Sequence, residues 1–175
     1  IAIKRLLDIG FHNFIVPFVQ NQQEAEDAVS AVRYPPRGRR GVSVGARGSC
    51  YGYTKDYWHK IDDHIGLIVQ VETLEAVSNI EAICSVDGID GIFVGPSDLA
   101  ASMGHLADNA HGEVQQKMAE IAELCRAIDA PVGTLATGGP DGRRYIDMGY
   151  QFVGMGSDSG LIKKATRDLA QSFKG

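Results

Sequence analysis

Cysteine is scarce in this sequence and carries no pattern: Cys50, Cys84 and Cys125 are odd in number, widely spaced and free of any CxxC pair. That excludes a disulfide framework and favours a reducing, cytoplasmic setting. Long apolar runs are missing as well, and none nears the ~18 residues that a membrane-spanning helix requires. Charge is not concentrated either, with 17 Lys+Arg against 22 Asp+Glu and a net charge of -5. The densest basic stretch, Arg37-Gly38-Arg39-Arg40, follows Pro35-Pro36 and reads as a loop, so neither a nucleic acid nor a membrane is an expected partner. A secretory leader is not seen: IAIKRLLDIG carries charge inside its apolar part, lacks a cleavage site, and reads as the middle of a helix. What is present, 44% hydrophobic and 22% charged residues over 175 positions, is ordinary for one globular domain with a real core.

The chain alternates between two kinds of segment. Ile3, Leu6, Leu7 and Gly10 predict the last turns of a helix with a glycine C-cap, and NFIVPFV (Asn13 to Val19) a short strand. Asn21-Gln22-Gln23-Glu24 has the capping-box form and opens a helix to about Tyr34, with Ala25, Ala28, Val29 and Val32 on its buried stripe. Residues 37 to 64 are irregular, an excursion long enough to suggest function or an interface. Strands are then predicted at Ile65 to Val71, Gly88 to Gly95, Pro131 to Leu135 and Phe152 to Gly156. Helices are predicted at Thr73 to Val86, His111 to Asp129, Asp141 to Gly149 and Leu161 to Phe173. Within the second of these helices Val114, Met118, Ile121, Ala122 and Cys125 share one face.

Near-continuous apolar strands separated by helices are the pattern of a parallel sheet built from β/α units. Five such units are present. Neither GxGxxG nor GxxxxGK[ST] follows the first strand, which weakens a nucleotide-binding fold. A (β/α)8 barrel needs roughly 250 residues, so the expectation is an α/β fold of the TIM-barrel (β/α)8 type holding about five of eight units, strands 4–8. Residues 1–175 would then be the C-terminal two-thirds of one barrel domain, with strand edges left open.

In such folds the ligand lies beyond the C-terminal strand ends. VQVE ends there at Glu72 and FVGPSD at Asp98, which places two carboxylates at one rim. Two such charges repel unless one keeps its proton or a cation sits between them. Oxygen donors with open positions suit Mg2+ or Mn2+, with Co2+ as a further candidate; the alternative is that both acids merely flank helix starts. Gln70 shares a side of its strand with Glu72 and is either a donor to a substrate oxygen or a polar plug. The Ser97 and Asp98 amides would point outward from the start of a helix. Lysine is missing from every strand end, which removes the amine of a Schiff-base mechanism. His105 follows the Asp98 segment and is read as a loop residue, and His12 as a surface residue at the opposite rim. Tyr57 and Trp58 are read as interface residues. The glycine-rich loops at Gly133 to Gly142 and Gly154 to Gly160 are either an anion-binding wall or tight turns.

The series LLDIG, NFIVPFVQ, RYPPRG, LIVQVET, VDGIDGIFVGPSDLAASMGHL and FVGMGSD resembles the HpcH/HpaI class II aldolases over essentially the whole chain. The likeness is strongest to the branch acting on 2-dehydro-3-deoxyglucarate and other 2-keto-3-deoxy acids. The resemblance implies a (β/α)8 barrel, a homo-oligomer (a hexamer), and cleavage of a 2-keto-4-hydroxy acid to pyruvate and an aldehyde through a metal-stabilised enolate. It implies metal ligation by Glu72 and Asp98, substrate contacts from Gln70, Ser97 and Asp98, and, at Asp8, an aspartate that raises the basicity of the catalytic histidine. That histidine and the family's enolate-stabilising arginine have no counterpart in these residues. Arg39 stands where an aliphatic residue is usual, and His12 is unusual for its position. The latter keeps open an oxaloacetate decarboxylase of the macrophomate-synthase kind, and the missing base keeps open a chain without activity of its own.

Overall fold

The computed structural model describes residues 2–174. Helix α1 (Ala2–Ile9) ends on Gly10, whose φ of 104° is the left-handed turn glycine allows. Strand β1 (Asn13–Val16) stops at Pro17, earlier than the apolar run suggested. The capping box forms before α2 (Gln22–Val32): the Asn21 side chain accepts from the Glu24 amide, and the Glu24 carboxylate accepts from the Gln20 amide. The excursion that follows contains only a short helix, α3 (Tyr57–Lys60), flanked by two 3-10 turns.

Regular alternation then resumes with β2 (Gly66–Val71), α4 (Leu74–Ser78), α5 (Ile80–Cys84), β3 (Gly91–Val94), α6 (Pro96–Ser102) and α7 (Gly112–Ala127). It ends with β4 (Val132–Ala136), α8 (Gly139–Met148), β5 (Phe152–Met155) and α9 (Asp158–Ser172). The single helix expected over Thr73 to Val86 is two, broken at Asn79, whose side chain donates to the Gln20 carbonyl at 2.8 Å. A long-range bond of that kind leaves no mark in local periodicity. The stripe expected on α7 is buried in full, Val114, Met118, Ile121, Ala122 and Cys125.

All four pairings are parallel and the strand order is β1-β2-β3-β4-β5. The result is a curled half-barrel, five β/α units of the (β/α)8 type. Leu67, Val69, Val71, Ile92 and Val94 are buried on the face that the helices cover. The alternate residues form an open apolar face, where Ile15, Leu135 and Phe152 are exposed and Phe93 meets Phe152 with ring centroids 6.2 Å apart. β1 and β5 are the sheet's edges. Helix α9 has no buried residue, and Leu161, Ile162 and Leu169 on it are exposed. Among the described residues no helix is long and apolar enough to cross a membrane.

Candidate active site

Register positions the site. Val71 pairs with Val94, so the next residues, Glu72 and Gly95, stand level at the C-terminal rim. A Cβ on Gly95 would run into Glu72 Oε2 and come within 2.7 Å of Gln70 Nε2. Glycine here makes room for the Glu72 carboxylate. Pro96 then opens α6, a position where its missing N–H costs nothing, and the first turn carries Asp98 at the surface.

Glu72 is 1% exposed, and both of its oxygens are held by neutral donors. The Phe18 amide donates to Oε1 at 3.0 Å, and the Gln70 side chain donates to Oε2. Burial pushes the Glu72 carboxyl above its ordinary value and the nearby Asp98 charge adds to this, while the Phe18 and Gln70 bonds pull it back. No Lys or Arg pairs with Glu72 or Asp98 among the described residues. A carboxylate oxygen has about two lone pairs, so each Glu72 oxygen keeps one after its bond. A cleft of about 130 Å3 opens on the Asp98 side, lined by Gln70, Ser97, Asp98, Asn109, Leu135 and Thr137 among others. Hard oxygen donors and like charges without a cation, next to a cleft that Asp98 lines, fit a small divalent ion.

Sequence reading thus gathers Gln70, Glu72, Ser97 and Asp98 at one place. Asp8 is elsewhere: it lies on α1, bonds to Lys4, and faces Arg40 Nη2 at 3.5 Å, with no hydrogen bond to the rim acids. Arg40, expected in an exposed basic loop, is 2% exposed; its guanidinium lies over the Tyr34 ring at 4.3 Å and meets the Tyr57 hydroxyl at 3.4 Å. Tyr57 is accordingly buried within its own chain and does not serve an interface through its ring. His12, read as a surface residue, has a buried Nε2 without a partner among the described residues. A larger cavity, about 680 Å3 between α1, the end of β1 and α2, is lined by aliphatic groups and by Lys4, Glu24, Asp27, Arg39 and Arg40, and lacks the rim acids.

His105, His111 and Glu113 also cluster. His105 Nε2 lies 2.9 Å from a Glu113 oxygen, and the two imidazoles stack with centroids 3.7 Å apart and planes 17° apart. Ring-nitrogen lone pairs lie in the ring planes, so stacked rings do not aim at one ion. No nucleophile elbow is expected from the sequence, although Gly41-Val42-Ser43-Val44-Gly45 fits the GxSxG spacing. It neither follows a strand nor leads into a helix, so it is not a nucleophile elbow. The one contributor to the site with no local signal is the Phe18 amide, visible only once the fold brings residue 18 to residue 72.

A parallel half-barrel with paired acids beyond its strand ends defines the class, an α/β-barrel enzyme domain. The sequence pattern of the HpcH/HpaI aldolase/citrate lyase family matches residues 1–165. The 5-keto-4-deoxy-D-glucarate aldolase of Enterobacter sp. (strain 638) is 50% identical over 174 residues, 99% of this chain and 68% of its own length. The protein of that name from Escherichia coli O6:H1 is 48% identical, with the same 99% and 68% coverage. A crystal structure of an HpcH/HpaI aldolase/citrate lyase family protein from Burkholderia cenocepacia J2315 superposes with a TM-score of 0.93 at 33% identity, covering 99% of this chain and 69% of that one. The chain belongs to the HpcH/HpaI aldolase/citrate lyase family.

Proposed function

We propose that this chain carries the metal and keto-acid site of a carbon–carbon lyase that cleaves a 2-keto-4-hydroxy sugar acid to pyruvate and an aldehyde. The relatives' substrate name supports the class of acid: a 5-keto-4-deoxy hexarate, numbered from its other end, is a 2-keto-3-deoxy acid. The observation that carries the reading is Glu72, held by neutral donors close to Asp98, with Gly95 keeping a Cβ off its carboxylate. Glu72 and Asp98 would hold Mg2+ or Mn2+, and the ion, when bound, supplies a Lewis acid for charge developing on the keto oxygen.

The remaining roles fall to the protein. Gln70 and Ser97 orient the keto-acid carboxylate, and Leu135 and Thr137 line the wall of the same cleft. Cleavage removes the C4 hydroxyl proton, breaks the C3–C4 bond and sends its electron pair toward the keto oxygen. The base that takes the proton is not among the side chains bonded to Glu72, and Asp8 is engaged by Lys4 and Arg40. The exposed apolar residues of α9 support a homo-oligomer, and three free cysteines are in keeping with the cytoplasm.

Titration with Mn2+, followed by electron paramagnetic resonance with and without oxalate as a pyruvate mimic, tests the reading. Wild-type protein should bind the ion, oxalate should tighten it, and Glu72→Gln should abolish both effects. Equal binding by wild type and Glu72→Gln would overturn it.

A further inference from the structure

The β1–α2 connection holds a non-glycine residue in an unusual conformation beside the site. Phe18 has a φ of 57°, a region that a bulky L-residue enters only when its surroundings over-determine it. Its ring does not explain this, being 55% exposed. The backbone does. Pro17 fixes the approach, and the left-handed turn that follows directs two consecutive amides at the end of β2: Phe18 N–H to Glu72 Oε1 at 3.0 Å, and Val19 N–H to the Gln70 carbonyl at 3.2 Å.

The same segment is locked on its far side. The Gln20 carbonyl accepts from Asn79 at 2.8 Å, the Gln20 side chain accepts from Thr73 Oγ1 at 3.0 Å, and the Gln20 amide donates to Glu24 at 2.8 Å. Residues 18 to 20 are therefore tied to β2, α4's cap and α2 at once, and the point of greatest backbone cost is the one that touches a buried carboxylate.

We propose that Phe18 is a positioning residue whose left-handed backbone, and not its side chain, sets the Glu72 carboxylate for the divalent ion. This rests on the metal reading of Glu72 and Asp98. With the Phe18 amide on Oε1 and Gln70 on Oε2, the carboxylate plane is pinned from both ends. A residue that resists positive φ moves one pin.

The proposal makes an ordering of variants that packing would reverse. Phe18→Gly and Phe18→Asn accept the left-handed turn but discard the ring, whereas Phe18→Leu keeps bulk and Phe18→Val combines bulk with β-branching. Mn2+ affinity, read by electron paramagnetic resonance on the whole chain, should stay within about twofold of wild type for Gly and Asn. It should fall by about tenfold or more for Val, as for loss of an outer contact to a ligand. An amide-to-ester replacement at residue 18, which deletes only the N–H, should match Val and guards against a Val variant that does not fold. Gly and Asn weakening while Leu is retained would overturn the proposal in favour of side-chain packing. Equal affinity for the ester and the wild type would overturn it outright. Wild-type protein that binds no Mn2+ would bring down the metal reading with it. Glu72-dependent binding that is indifferent to residue 18 would bring down the inference alone.

Discussion

Two of the acids in this chain, Asp8 and Glu72, are built into the fold on opposite rules. Asp8 faces cations, Lys4 and Arg40, and the group closes on itself over Tyr34 and Tyr57. Glu72 faces another acid, Asp98, with only neutral amides for company. A carboxylate paired with cations of the same chain has its charge answered inside the fold. A carboxylate set beside a like charge has not, and the answer has to come from a proton or from a bound cation. The first arrangement holds α1 against the excursion at residues 40 to 57; the second is the one we propose for chemistry.

Breaking the cluster around Asp8 should give the largest effect. Arg40→Ala removes a buried guanidinium and leaves Asp8 with Lys4 alone, so urea unfolding should show a loss of about 3 kcal/mol, in the range for severing one side of a buried ion pair. Metal affinity at Glu72 should be unchanged, because no bond links the two clusters. If Mn2+ binding falls in step with stability, the two regions are coupled and the contrast between them fails.

The site itself comes next. Glu72→Gln should weaken Mn2+ binding by at least about 100-fold, the upper end of what outer contacts cost. Yet it should leave metal-free stability intact or improved, since it deletes a buried charge with no cation. Gly95→Ala should weaken binding through sterics, its Cβ displacing Glu72 and Gln70. It should also cost about 1–3 kcal/mol of stability, as overpacking does.

The strand ends that carry Glu72 and Asp98 were legible in sequence because parallel strands are written as apolar runs and the next residue is the rim. The α7 stripe was legible for the same kind of reason, a period that local sequence carries. Arg40 was not: an arginine after Pro-Pro and among other arginines looks solvated, and the Tyr34 ring, the Tyr57 hydroxyl and Asp8, brought from both sides, are what make its burial tolerable. Nor was the break at Asn79, which depends on a carbonyl 59 residues earlier in the chain. The Phe18 amide escaped because backbone donors have no residue type. Asp8 was nominated by its motif, and its contacts with Lys4 and Arg40 were not legible there.

A smaller effect follows from acidity. Burial raises the Glu72 carboxyl above its ordinary 4.5, so the native state holds that proton more tightly than the unfolded chain. The resulting stability is present in full below the unfolded value and is lost as pH rises through the native one. In chelator-containing buffer, wild type and Glu72→Gln should therefore unfold alike at acid pH and diverge toward neutrality, with the variant the more stable. Mn2+ should close the gap at neutral pH. A gap that widens toward acid pH instead would mean that Glu72 is stabilised as an anion, like Asp8, and the two clusters would no longer be opposites.

The smallest effect concerns the layer behind the site, which both clusters need to be closed. Burial pushes the Cys84 thiol up to about 11 and the Cys125 thiol up to about 12, while Cys50 is exposed. Only the thiolate attacks a disulfide reagent, so at pH 8 a thiol at 11 offers roughly one part in a thousand of its reactive form. One thiol per chain should react quickly and the other two only as fast as the helices open. Cys50→Ser should remove the fast phase and leave stability nearly untouched. A second fast thiol would mean that the helix layer behind β2 and β3 admits water, and that the burial of Cys84 and Cys125 does not hold in solution.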